Sequence, residues 1–258
     1  MKYEILKDEF IELDGRKLYR IKALKDFRDV RKGTVGGYIE SEQNLSQEGN
    51  AWVSGDARVS GNAWVSGDAR VSGNARVSGN ARVSGDAWVS GNARVSGDAW
   101  VSGNAWVSGN ARVSGDAWVS GNARVYGYAQ VSGYARVSGN ARVSGDAWVS
   151  GNARVYGNAQ VSGYARVYGN ARVSGDAWVL NRHSVVWFSN VGTENGTLTV
   201  YCGKNGLIAT RGCFTGSVED FLAKSAKVHD EKTKREYELL IEVARSRLEE
   251  AQGNIGSE

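Results

Sequence analysis

The sequence predicts a mainly β protein whose central half is a three-sided parallel β-solenoid, and three observations predict it. First, residues 49–180 divide without interruption into 22 units of six, from "GNAWVS" to "GDAWVL", and every unit keeps its Gly, its Ala and its Val. A short fixed period of this kind is the signature of stacked repeats. Second, Gly totals 34 and Pro is absent, which is unlike an average globular domain. Third, Ala and Val stand two apart in each unit. On an extended segment both therefore point to one face, and the residue between them points to the other.

The hairpin at the N-terminus comes first in chain order. "FIELDGRKLYRI" places Asp14-Gly15 between two apolar runs, a two-residue turn signal. Residues 1–48 are expected to form this hairpin plus a degenerate capping coil around "VGGYIESEQNLS", because the open strand edges at a solenoid's end need cover.

Within the repeats of 49–180, a strand of about three residues meets Ser-Gly-Asx. Gly and Asx tolerate positive φ at least cost, so both are expected to turn the corner. Three strands and three corners close an 18-residue coil, giving a little over seven coils and a rod about 35 Å long at ~4.8 Å per strand. Each Val buried inside contributes about 1.5–3 kcal/mol before chain entropy is subtracted. A flat 12-residue coil is the rival geometry. Its core is two residues deep and calls for a staple, yet the repeats hold no Cys.

After Leu180 the period ends. "SVVWFSNVG", "GTLTVYCG" and "GLIATRGCF" read as three strands of a small antiparallel cap over 181–216. Thr215 or Ser217 then caps a helix through "VEDFLAKSAK", and a second helix runs from about Lys232 to Ala251, within a region 217–258. Tyr237, Leu240, Ile241, Ala244 and Leu248 share one face of that helix, with core packing the default and contact to a partner protein the sharper reading. The residues from Gln252 onward are expected to fray.

Read from Val, the unit is V-S-G-[ND]-A-[RW]. It resembles the hexapeptide repeat of left-handed parallel β-helix proteins, with an aliphatic first and a small fifth residue. That resemblance, not the spacing, implies the left hand. The flanks "LYRIKALKDF", "GTVGGYIESEQNLSQEGNAWV" and "TRGCFTGSVEDF" resemble small phage- and prophage-encoded hexapeptide-repeat proteins, which implies a phage or prophage origin.

Charge belongs to the rod. Residues 49–180 carry 12 Arg and 7 Asp with no Lys or Glu, a balance of +5, whereas the remainder carries −1. Arg16 to Lys32 adds a local excess of eight basic over two acidic residues, either a nucleic-acid patch or a solvated strand and loop. The middle residue of each wall faces solvent and is Arg, Trp or Gln. On an 18-residue coil one column begins Arg58, Arg76, Arg94, Arg112. Trp88 and Trp106 fall on a second and Trp100 and Trp118 on a third. With Tyr126, Tyr128 and Tyr134, which break the Ser and Asx rules, these are the candidate binding residues. Arginines grip phosphates and tryptophans stack bases, but both are also good exposed strand residues that cover one another. The block from Arg124 reappears from Arg154, a shift of five hexads that moves each copied side chain to another face. Identical neighbours within the three columns are about as frequent as random placement gives, and a ligand array confined to one face should not survive such shifting. Within-unit pairs such as Asp56 with Arg58 are expected to be weak surface ion pairs.

Chemistry is sparse. Acyltransferases of the resembled family use a histidine base beside a loop extruded from the coils, and its carbonic anhydrases hold zinc with three histidines. Here the repeats hold no His, and only His183 and His229 occur elsewhere. Cys202 and Cys213, both expected in strands, lack CxxC spacing, and no GxxxxGK[ST] loop is present. "MKYEILKDEF" lacks a signal peptide's apolar run, and no membrane span is seen. The reading is a cytoplasmic protein of a bacterial host cell, a non-catalytic scaffold or binding module without cofactor or metal. Eight outward Trp and the side-by-side packing common in the family point to a homo-oligomer, a trimer first. The alternatives are a nucleotide- or nucleic-acid-binding protein, such as a phage decoy or sponge against host defence, and an acyltransferase-like enzyme.

Overall fold

The computed structural model describes residues 1–253, with side chains through Leu248. It is a three-walled parallel β-solenoid closed at both ends by caps. The strands β1 (Tyr3–Leu13), β2 (Arg16–Ala23) and β3 (Val35–Ile39) precede 22 two-residue strands, β4 (Trp52–Val53) through β25 (Trp178–Val179). Each rod strand from β4 through β22 pairs in parallel with the strand 18 residues on, as in Trp88 with Trp106 and Val89 with Val107. The coil therefore closes after three hexads, and the flat 12-residue alternative is excluded. Wall two alone has eight strands, so the rod completes about eight turns with the N-terminal coil.

Every Ala and Val of the repeats is fully buried, which makes the interior one continuous column. The corners depart from expectation in one respect. In each hexad it is Gly that takes positive φ, near +65°, whereas no Asx of the repeats does so. Glycine alone makes the turn because a Cβ there would also meet the backbone of the next coil. At Gly109 it would stand 3.0 Å from the Gly127 nitrogen. The Asx side chains are thereby freed to run along the corners, Asn104 donating to Asn122 at 3.1 Å and Asn122 to Asn140 at 3.0 Å.

The N-terminal hairpin turns at Asp14 and Gly15, both at positive φ, as a two-residue type I′ loop requires. Its strands do not sit apart from the rod. β1, β2 and β3 extend wall one into a ten-stranded sheet, with Tyr38 in register with Arg58. The degenerate coil follows through a 3₁₀ turn, Glu42–Asn44, and a bridge from Leu45 to Val65. Asn44 fastens it by donating to the Gly61 and Ala63 carbonyls, both at 2.9 Å.

At the far end the cap has four strands rather than three: β26 (Val185–Val191), β27 (Gly196–Gly203), β28 (Gly206–Arg211) and β29 (Phe214–Ser217). The fourth was hidden in "FTGS", a stretch too short and small to read as a strand. β27 lies across the open coil. Tyr201 accepts from the Ser174 amide at 3.1 Å, and Thr210 donates to the Arg172 carbonyl at 2.7 Å. Helix α1 (Val218–Val228) is capped by Ser217, which accepts from the Asp220 amide at 3.0 Å. Helix α2 (Glu231–Gly253) lays Tyr237, Ile241, Ala244 and Leu248 onto the cap's own sheet, so core packing accounts for that stripe. Of the terminal stretch expected to fray, residues 254–258 lie outside the described residues. Among the described residues no helix is long and apolar enough to cross a membrane.

Candidate functional site

The outward columns fall where the sequence places them. Wall one carries Arg58, Arg76, Arg94, Arg112, Gln130, Trp148 and Arg166 in Cα register. Wall two brings Trp88 over Trp106, and wall three brings Trp100 over Trp118. The two tryptophan pairs stack nearly parallel, with ring centroids 5.3 Å and 4.9 Å apart. Arginines close over the stack ends. Arg124 lies 5.8 Å from the Trp106 ring, Arg82 6.0 Å from Trp100 and Arg136 5.5 Å from Trp118.

A second interaction holds these rings and was not foreseen. Each indole Nε1 donates to the serine sixteen residues earlier, in the preceding coil. Trp88 reaches Ser72 at 3.0 Å, Trp100 reaches Ser84 at 3.2 Å and Trp106 reaches Ser90 at 3.3 Å, while Trp118 and Trp148 make the same bond to Ser102 and Ser132. The spacing was present in the sequence, since each of these five Trp has a Ser sixteen residues back, but it does not suffice, because Trp178 stands at the same spacing from Ser162 without such a bond among the described residues. The rings therefore serve the rod itself: they are half-covered by neighbours and tied to its corner serines.

One tryptophan departs from the outward rule. Trp52 is 3% exposed because the N-terminal cap folds over it, with Tyr3 and Phe27 meeting its ring edge-on. The same loop crosses wall two through ion pairs, Asp29 with Arg70 and Arg28 with Asp86. The ion pairs of the rod's first coils thus run to the cap. Asp56 pairs with Arg20 at 3.3 Å, and no Asp–Arg pair within one hexad is found among the described residues.

Wall one differs from the other two. Arg58, Arg76, Arg94 and Arg112 have no tryptophan between them, and none lies within ion-pair distance of a carboxylate among the described residues. Like charges about 4.8 Å apart repel by about 0.9 kcal/mol per neighbouring pair even in bulk water. The Nε of Arg58 is moreover buried without a hydrogen-bond partner.

Tyr126 and Tyr128 flank one corner, at Gly127. Tyr126 joins Trp106, Arg124 and Arg142 around a shallow cleft of about 190 Å³ on wall two. Tyr128 and Tyr134, at 63% and 66% exposure, stand on the two corners that flank wall one at Gln130.

The remaining chemistry lies in the C-terminal cap. His183 is exposed in the turn after the last coil. His229 caps α1, with its Nδ1 3.1 Å from Ser225 Oγ. It borders a cavity of about 200 Å³ lined by Arg211, Cys213, Phe214, Phe221, Lys224 and Tyr237, a feature the sequence did not indicate. Cys202 is in a strand and buried, and burial pushes its thiol up to about 11. Cys213 is in the turn before β29, exposed, because Gly212 at positive φ ends the preceding strand. No cluster of three or more metal-ligating side chains occurs among the described residues.

Hexads stacked at 18-residue register around an Ala/Val column define the chain as a β-solenoid repeat protein of the hexapeptide type. Its repeats match the family described as YdcK beta solenoid repeat, over residues 51–67, 69–85, 75–91, 87–103, 105–121, 119–133, 135–151, 147–163 and 165–181. A protein of Escherichia coli (strain K12) named "Uncharacterized acetyltransferase YdcK" is 50% identical over 44 residues, 16% of this chain. The match spans 14% of that protein's length.

Proposed function

We propose that this chain is a non-catalytic scaffold: a rigid rod that holds outward side chains at fixed spacing for a binding partner, in the cytoplasm of a bacterial host cell and of phage or prophage origin. The observation that carries the reading is the contrast between inside and outside. Ala and Val are buried in every hexad, while the outward position varies among Arg, Trp and Gln. A constant core under a variable surface is what a presentation rod needs. The part of each outward tryptophan ring that neighbours leave uncovered supports a homo-oligomer, a trimer first, since apolar surface of this kind marks contact faces.

The relative named acetyltransferase raises the enzymatic alternative. Against it stands the composition of the repeats, which offer no histidine to act as general base. The test is calorimetric titration with acetyl-CoA together with an acetyl-transfer assay on small amines. No heat and no transfer support the scaffold. Low-micromolar binding with turnover that His183→Ala abolishes overturns it. Sedimentation checks the oligomer, and a monomer alone at micromolar concentration removes the trimer.

A second reading, a nucleotide- or nucleic-acid-binding protein acting as a decoy, is favoured by the uncompensated arginines of wall one.

A further inference from the structure

We infer that wall one, and neither of the other walls, is a docking track for single-stranded nucleic acid; the inference rests on the nucleic-acid reading above and names its surface. Three observations converge. Arg58, Arg76, Arg94 and Arg112 form a single file in register, without carboxylate or indole between them. On walls two and three, by contrast, tryptophans interrupt the arginines, Arg124 and Arg136 lie over indole rings and Arg172 donates to the Gly212 carbonyl at 2.8 Å, so neither wall presents four free arginines in file. A row of guanidinium groups that the fold leaves without counter-charge selects a partner that brings one negative charge after another.

The sheet that carries the track continues into the N-terminal cap. The basic cap segment and the arginine column, separate in sequence, share one ten-stranded sheet, in which Arg20 pairs with Tyr38 and Tyr38 with Arg58. Arg20 lies 4.2 Å over the Tyr38 ring and pairs with Asp56 at 3.3 Å, so the uncompensated part of the file begins at Arg58.

At the other end the arginines give way to Gln130, flanked on its two corners by the exposed Tyr128 and Tyr134; Trp148 beyond it is covered by Arg166 at 5.5 Å and bonded to Ser132. Cationic groups along a line with aromatic rings at its ends are the elements of sequence-tolerant single-strand binding, the rings stacking bases and the cations following phosphates. A straight file one side chain wide suits a strand that can lie straight. Duplex phosphates spiral away from such a line after a few steps. The five-hexad shift that scrambles faces involves residues 124–179, beyond the last of the four arginines, so it leaves this track untouched.

The test uses the full chain and a short fluorescein-labelled oligothymidylate, with a duplex of equal length and poly-glutamate as further probes, read by anisotropy across salt. Four phosphate contacts predict a log–log salt slope of about −3, or roughly fiftyfold weaker binding between about 50 and 200 mM salt. The triple variant Arg76→Gln, Arg94→Gln, Arg112→Gln should flatten the slope to about −1. The triple Arg82→Gln, Arg136→Gln, Arg154→Gln, which removes the same charge from wall three, should leave it unchanged. Circular dichroism confirms that both remain folded. Equal losses in the two triples overturn the wall assignment while sparing nucleic-acid binding. No binding at low salt overturns both, and poly-glutamate bound as tightly as the oligonucleotide overturns the nucleic-acid class.

Discussion

Adding one methyl group at two different corners separates the two reasons why every hexad keeps its glycine. Gly109 and Gly175 have nearly the same backbone, φ +66° and +62°. In Gly109→Ala the new Cβ would stand 3.0 Å from the Gly127 nitrogen and 3.2 Å from its oxygen, because another coil is stacked above. In Gly175→Ala it would meet nothing within 4 Å, because the rod ends there. Both variants carry the left-handed conformational penalty of an L-residue, about 1–2 kcal/mol. Only Gly109→Ala adds overpacking, about 1–3 kcal/mol more. A stacked rod need not unfold in one step, so the reading should be local. Native-state hydrogen exchange at the Asn110 amide, which donates to the Gly127 carbonyl at 2.8 Å, reports the Gly109 corner, and the Asn158 amide, 3.0 Å from the Gly175 carbonyl, reports the other. The excess destabilisation at Gly109 should accelerate exchange about 5- to 150-fold beyond that at Gly175. Equal effects at the two corners would show that φ alone demands glycine and that coil stacking plays no part.

Other perturbations test the caps and the walls. Cys213 should react with maleimide within the native protein, whereas Cys202, buried and with its thiol pushed up to about 11, should react only on unfolding; mass spectrometry of labelled peptides distinguishes them. Burial, reinforced by Lys25 and opposed by Asp68, brings the Lys2 ammonium down to about 8 from 10.5. Across the window between those values the unfolded chain holds the extra proton, so stability of the N-terminal cap should rise with pH by up to about 1.4 kcal/mol per unit. Denaturation midpoints that fall with pH there, or a slope that persists in Lys2→Met, would contradict this. Relief of repulsion in the arginine file predicts that Arg94→Gln leaves the melting temperature unchanged or slightly higher, while a loss of more than about 1 kcal/mol would mean that the file is structural.

Much of this architecture was legible because the repeat is local physics repeated. Ala and Val two apart fix the inward face, Gly fixes the corner, and 18-residue closure follows from three such corners. Asp14-Gly15 likewise announces its hairpin within two residues. What escaped depends on contacts distant in sequence. Nothing around "NAWVS" tells Trp52 that the loop carrying Phe27 will cover it, and nothing around Arg20 places it on the same sheet as Arg58. The fourth strand of the C-terminal cap, "FTGS", owes its conformation to pairing with Ile208–Arg211 rather than to its own residues. The candidate site was half legible for the same reason. Columns follow from arithmetic on the period, but whether an arginine is neutralised depends on which residue sits one coil away.

The corners add a directional constraint that composition conceals. Each amide ladder runs one way, the Nδ2 of one Asn donating to the Oδ1 one coil on, through Asn104, Asn122, Asn140 and Asn158 to Asp176. A carboxylate has no N–H to pass forward, so an Asp can only end such a run, as Asp98 ends the run from Asn62 through Asn80. Asn122→Asp should therefore break the longest ladder. Asn140 must then face two acceptors or turn its amide, and turning Asn140 and Asn158 only moves the conflict to Asp176. One unmatched acceptor pair should destabilise the rod by about 1 kcal/mol. Asp176→Asn supplies the missing donor at the far end and lets the segment beyond the substituted corner run in the opposite sense, so the double variant should recover most of the loss. Residues 122 and 176 are three coils apart, a separation at which substitutions ordinarily add. Strict additivity in a double-mutant cycle would mean that the amides act as independent pairs. Recovery would mean that the corner is a single polarised chain, and that the choice between Asn and Asp at each hexad is set by its place along that chain.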